Sequence, residues 1–184
     1  MIILRKISII LLLSLFQINL FSQSLPVSAS LILNPPHPIT YSKYTDLGSN
    51  SLQLNINFLD FNEPSWDVYF SISIESQDIK LSTKPNFKPS IPTTIFSGVP
   101  KTLLGSDLYE YFDFNNIIFQ NIDASTINST GNLPEGYYTF CVTVLDYRSG
   151  IPISTTSCNS AFLSLEQPPI IISPACETAI EPSS

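Results

Sequence analysis

Apolar and polar residues alternate along several short stretches of this chain. Val27, Ala29, Leu31 and Leu33 share one parity, with Ser28 and Ser30 on the other. Leu52, Leu54, Ile56 and Phe58 alternate with Gln53, Asn55 and Asn57, and Trp66, Val68, Phe70, Ile72 and Ile74 alternate with Asp67, Tyr69, Ser71, Ser73 and Glu75. A period of two is the mark of a strand with one face buried. The parity places Trp66 in the core. Ile79 to Thr83, Thr94 to Phe96 and Thr102 to Leu104 read as shorter strands. A last pair is the strongest: Tyr138, Phe140, Val142 and Val144 face in from one strand, and Ser154 to Leu165 returns as a second.

Between these stretches the chain is broken by proline and small polar residues. Asn34-Pro35-Pro36-His37-Pro38 cannot continue a ladder, because proline lacks the donor. Lys84 to Pro92, with prolines at 85, 89 and 92, reads as an extended edge or loop. Ser106 to Phe112 predicts one or two helical turns with Ser106 as N-cap. Ile117 to Ile122 fits either state. Six to nine short strands with at most one short helix predict an all-β, antiparallel sandwich of the immunoglobulin/fibronectin III-like kind.

The closing hairpin carries two cysteines. If Ser149-Gly150 is the centre of a two-residue turn, Cys141 and Cys158 each lie eight residues from it and stand opposite one another. Directly opposed cysteines can be bridged, so a Cys141–Cys158 disulfide is expected. Cys176 is left over; it has either a partner in further sequence or a free thiol.

The first residues change the picture of where the domain starts. Arg5 and Lys6 precede an apolar run from Ile7 to Phe16, and Gln17 to Gln23 turns polar, the layout of a secretory signal peptide. An uncleaved anchor is the other reading, but the unbroken run falls short of the roughly 20 residues of a bilayer span. The expected organisation is a signal peptide at 1–23, a sandwich domain at 24–167, and a linker with the start of a following domain at 168–184. Pro168-Pro169 opens that last part and Ile170-Ile171-Ile172 reads as its first strand. Loss of Arg5 and Lys6 takes the formal charge from −7 to −9. With only scattered lysines left, nucleic acid is not an expected partner, and no membrane insertion is expected after cleavage.

The chemistry available is narrow. His37 is the one histidine, flanked by prolines, so Ser-His and Cys-His catalysis have no evident base. The six glycines are scattered, which gives no phosphate loop. Asp60, Asn62, Glu63 and Asp67 form a turn cluster that could contribute to a calcium site, which takes six to eight oxygens; an Asx-turn explains the same residues without metal. Those carboxylates, or Asp107, Glu110 and Asp113, could also form a glycosidase-type pair, with solvated turn and cap roles as the plainer account. Tyr69 and Tyr137, with Tyr109 and Tyr111, could be outward aromatics that stack on sugars or anchor a protein, unless loops cover them. No cofactor is expected.

The segments Leu59 to Val68, Thr83 to Pro89, Leu104 to Leu108, Leu133 to Cys141, and Asp146-Tyr147-Arg148 through Cys158 occur in an order that resembles the TANFOR domain, from about Pro26 to Ile172. That resemblance implies an N-terminal module of large exported proteins of Gram-negative bacteria, followed there by fibronectin type III-like domains, with no assigned catalytic residues. Such proteins usually continue well beyond the length of this chain. The expected role is a non-catalytic structural or adhesive module, secreted or on the outer cell surface, whose partners are other surface proteins or glycans. A carbohydrate-binding domain is the alternative, and a glycosidase-type enzyme the third reading.

Overall fold

The computed structural model describes residues 25–165. The expected signal peptide, Cys176 and the 168–184 segment lie outside the described residues. Nine strands form two facing sheets, an antiparallel all-β sandwich. Strands β1 (Val27–Leu33), β2 (Leu52–Phe58) and β6 (Lys101–Leu104) make the smaller sheet. The larger has the order β7 (Ile117–Gln120), β4 (Lys80–Thr83), β3 (Ser65–Glu75), β8 (Gly136–Asp146) and β9 (Ser157–Leu163), with β5 (Thr93–Phe96) also pairing β3. The inward parities meet as expected: Leu52, Leu54, Ile56 and Phe58 are buried, as are Val68, Phe70, Ile72, Ile74, Tyr138, Phe140, Val142 and Val144. Trp66 sits only half-buried at the rim of this core.

The sequence pattern allowed at most one short helix, and there are two. The first, α1 (Tyr109–Phe112), follows a 3-10 turn at Gly105–Leu108. Its entry is capped by the Asp107 carboxylate, which accepts from the Leu104 N–H at 2.8 Å, rather than by Ser106. The second, α2 (Ala124–Thr130), is rich in Ser, Thr and Asn, poor helix formers that gave it no apolar periodicity. It is held by its ends and one anchor. Asp123 accepts from the Ser125 N–H, left-handed Gly131 donates to the Ile127 carbonyl, and Ile127 is fully buried.

Strand β3 is paired with β8 along most of its length but has a divided outer edge. Strand β5 pairs Ser65 to Val68 and β4 pairs Ser73 to Glu75, which leaves a gap between them. Side chains fill it: the Phe70 N–H donates to the Tyr111 hydroxyl, and the Thr83 hydroxyl both accepts from Ile72 N–H and donates to Ile72 C=O. Buried backbone groups need such partners, so Tyr111 is a structural residue and not an outward aromatic. Burial pushes its phenol well above the ordinary tyrosine range.

The hairpin between β8 and β9 reaches the expected register by an unexpected route. Asp146 N–H donates to Ile151 C=O and Gly150 N–H to Asp146 C=O, so the turn spans Tyr147 to Gly150 and centres one residue earlier than Ser149-Gly150. A bulge with two extra residues follows Ile153. The buried Ser154 hydroxyl takes the Val144 N–H at 2.9 Å, and regular pairing resumes at Val142 and Ser157. The early turn and the bulge offset one another. Cys141 therefore faces Cys158, Cα atoms 4.1 Å apart, and the two form a disulfide on the outer face.

Strand β1 lies along β9 in the same direction and closes that side of the sandwich. The Leu31 N–H donates to Ser157 Oγ, Asn159 Nδ2 donates to the Leu31 carbonyl, and backbone bonds join Val27 to Ile153 and Ser164 to His37 and Ile39. The fold thus begins at the pole that carries the Tyr147–Gly150 turn and ends at the other, beside Gly136.

Candidate functional site

Among the described residues, two surface depressions that combine shape with side chains of functional type lie one at each pole. The first is a cleft of about 390 Å³ where β3 begins and β8 ends, lined by Glu63, Ser65, Trp66, Asp67, Asp146 and Arg148. Two segments far apart in sequence meet here, Asn62 to Val68 and Asp146-Tyr147-Arg148, because Val68 and Asp146 are register partners. The indole Nε1 of Trp66 donates to Asp146 Oδ2 at 2.6 Å, while the ring stands edge-on to Phe58 at 5.6 Å. Asp146 Oδ1 accepts from the Ser149 N–H and hydroxyl, which ties the indole to the hairpin turn. Desolvation raises the Asp146 pKa, but hydrogen bonds from the Ser149 hydroxyl and N–H, the Trp66 indole and the Arg148 backbone N–H outweigh it and hold the carboxyl at about 2.

That low value has a measurable consequence. A carboxyl whose pKa is depressed on folding adds stability that is complete above its unfolded value, near 4, and is lost as pH falls toward 2. Urea unfolding followed between pH 5 and pH 2 should show stability falling across this window. In Asp146→Asn the fall should be smaller, with a loss of about 1–2 kcal/mol already present at pH 7. Equal pH slopes for the two proteins would show that Asp146 is not the group responsible.

The acidic cluster does not assemble as one site. Asp60 Oδ1 accepts from both the backbone N–H and the Nδ2 of Asn62, each at 2.9 Å, which is an Asx-turn. Glu63 and Asp67 instead border the cleft, and Asp67 Oδ1 takes the Thr94 hydroxyl. Among the described residues no three His, Cys, Asp or Glu side chains converge as a metal site. In the other set, Asp107 caps the 3-10 turn and Asp113 accepts from the Asn115 N–H, while Asp107 and Glu110 border an open depression of about 280 Å³ beside Tyr109.

The tyrosines separate by burial. Tyr69, expected outward as a platform, is on the outer face but only 8% exposed. Tyr147 covers it edge-on at 6.1 Å, and Tyr147 is held by the Lys84–Pro92 segment through Pro89 C=O and the Lys88 ammonium over its ring. Tyr69 is therefore unavailable for stacking, and Tyr111 is consumed by the β3 edge. Tyr109 is exposed. Tyr137 is 75% exposed and meets Phe162, itself 49% exposed, edge-to-face at 5.0 Å. This pair forms the second place, beside a groove of about 560 Å³ bordered by Ser76 to Ile79 and Pro134 to Gly136. His37 is half-buried with Nδ1 lacking a hydrogen-bond partner, and no bond joins its ring to a serine or cysteine among the described residues.

Phe162, Asp146 and Arg148 are absent from the candidates drawn from sequence, although signals for them exist. The register that faces Cys141 with Cys158 also faces Tyr137 with Phe162. Arg148 is the one arginine beyond residue 23.

No known protein family, curated protein or solved structure matches the chain. Among the described residues no helix is long and apolar enough to cross a membrane.

Proposed function

We propose that this protein is a non-catalytic interaction module of an exported protein, engaging a protein partner through the Tyr137–Phe162 pair. The observation that carries this reading is the exposure of two large rings side by side on a sheet face otherwise rich in Ser and Thr. Solvent-facing aromatic clusters with a polar surround are typical anchors of protein interfaces. Export is supported by the charged and apolar start of the chain and by the disulfide, which persists in oxidising compartments. The resemblance to the TANFOR domain agrees with an outer-surface location in a Gram-negative bacterium.

Binding of the fluorescently labelled protein to intact cells of its own host tests the reading. Saturable binding is expected, sensitive to protease treatment of the cells but not to periodate. A Tyr137→Ala, Phe162→Ala double variant should bind about tenfold or more weakly, since aromatic anchors each contribute on the order of 1–2 kcal/mol or more. Tyr137 is mostly exposed and Phe162 about half exposed, so loss of this cross-strand pair should lower the melting temperature by only a few degrees. Equal binding by the double variant, or no saturable binding, would defeat the proposal.

A further inference from the structure

We propose that the Trp66 cleft is a binding site for a neutral saccharide, separate from the Tyr137–Phe162 pair and not dependent on it. The cleft lies at the far end of β8 from Tyr137. Its nine-residue offset, Tyr137 to Asp146, corresponds to about 30 Å of extended strand. Its volume of about 390 Å³ falls within the range of about 300–1,000 Å³ usual for small-molecule sites.

Three features together select the ligand class. The first is a pre-set aromatic surface: the indole cannot swing, because Asp146 holds its Nε1 and Phe58 abuts it edge-on. The C–H face of a pyranose ring lies well against such a surface. The second is uncommitted hydrogen-bonding capacity of both kinds. Glu63 makes no hydrogen bond to the described residues, Asp67 keeps Oδ2 after binding Thr94, and Arg148 forms no ion pair, Lys80–Glu75 being the one among the described residues. The third is the mixture of signs. Glu63 and Asp67 accept while Arg148 and Ser65 donate, and each sugar hydroxyl can do both. A cationic ligand would meet Arg148 and would find the oxygens of Asp146 already taken by Trp66 and Ser149, and an anionic one would meet Glu63, Asp67 and Asp146. A polyhydroxylated neutral ring satisfies all of them.

Trp66 is the sole tryptophan of the chain, so its emission reports the cleft directly. The full chain, as isolated after export, is titrated separately with cellohexaose, maltohexaose, mannohexaose and chitohexaose, and with trilysine and N-acetylneuraminic acid as charged controls. A saturable change in emission is expected with at least one of the four neutral oligosaccharides and with neither control. Glu63→Ala and Arg148→Ala should each weaken that binding about tenfold, the loss of one hydrogen bond to a charged group. The Tyr137→Ala, Phe162→Ala variant should bind it unchanged. No response to any of the four, a response to trilysine or N-acetylneuraminic acid alone, or affinity indifferent to both cleft substitutions would overturn the assignment.

Discussion

Gly105→Ala is expected to destabilise the domain more than any other single-methyl change in it, by about 3 kcal/mol or more. A Cβ on Gly105 would stand 1.7 Å from the carbonyl oxygen of Tyr44, well inside any permitted contact. The obstacle is backbone, and neither side has room to retreat. Tyr44 is fully buried, with its hydroxyl on the Pro38 carbonyl and its ring against Phe140 at 5.0 Å. Gly105 opens a 3-10 turn pinned by Asp107 at one end and by the buried Leu108 at the other. Against a total stability of about 5–15 kcal/mol, a loss of that size removes much of the margin. Gly131→Ala is the control: nothing lies within 4 Å of its Cβ, but φ is +70°, so a cost of about 1 kcal/mol is expected. Urea denaturation of the two variants should separate them clearly. Similar midpoints would mean that the Tyr44 and Gly105 backbones are not in contact.

The second large effect is expected from the disulfide. Cys141 and Cys158 are 17 residues apart in sequence, and the chain-entropy model gives about 3 kcal/mol for a loop of this size. For a domain of this length that corresponds to a melting temperature lower by roughly 6–12 °C. Cys158 is exposed and Cys141 half-buried, so a reductant can reach the bond without global unfolding. Differential scanning calorimetry of the Cys141→Ser, Cys158→Ser protein and of the parent in dithiothreitol should therefore agree. A parent whose transition is indifferent to reductant would show that the two sulfurs are not joined. The hairpin is not expected to lose its register in the reduced state, since Tyr138, Phe140, Val142 and Val144 remain inward.

Alternation made the long strands legible because each has one face on the core and one toward solvent. Strands β1 and β2 run over the residues that the pattern marked, and β3 begins one residue earlier. The facing of Cys141 and Cys158 was legible too, although its route was not: no residue pattern marks the offset of the short bulge against the early turn. Helix α2 escaped because its determinants are two caps and Ile127, which leave no repeating stripe. For Tyr69 the pattern left two readings open, an outward platform or a ring under a loop, and the second holds. Parity tells which face of a sheet a side chain takes, but not whether a distant segment such as Lys84–Pro92 folds over that face. The Trp66 cleft has the same origin. Glu63, Trp66 and Arg148 are neighbours only because β3 and β8 pair in one register, which local pattern does not report.

The side-by-side course of β1 and β9 sets how the domain answers tension. The fold begins at one pole and ends at the other, so a pull on residues 26 and 165 draws β1 and β9 in opposite senses along their own axes. Their contacts, and the ladders that tie β1 to β2 and β9 to β8, are then loaded in shear, with many bonds strained together instead of opening one by one. The Cys141–Cys158 bond adds a covalent stop within the β8–β9 pair, which cannot slide while it is intact. A module joined end to end in a surface filament would on this account resist stretching in its oxidised form and yield at lower force once reduced.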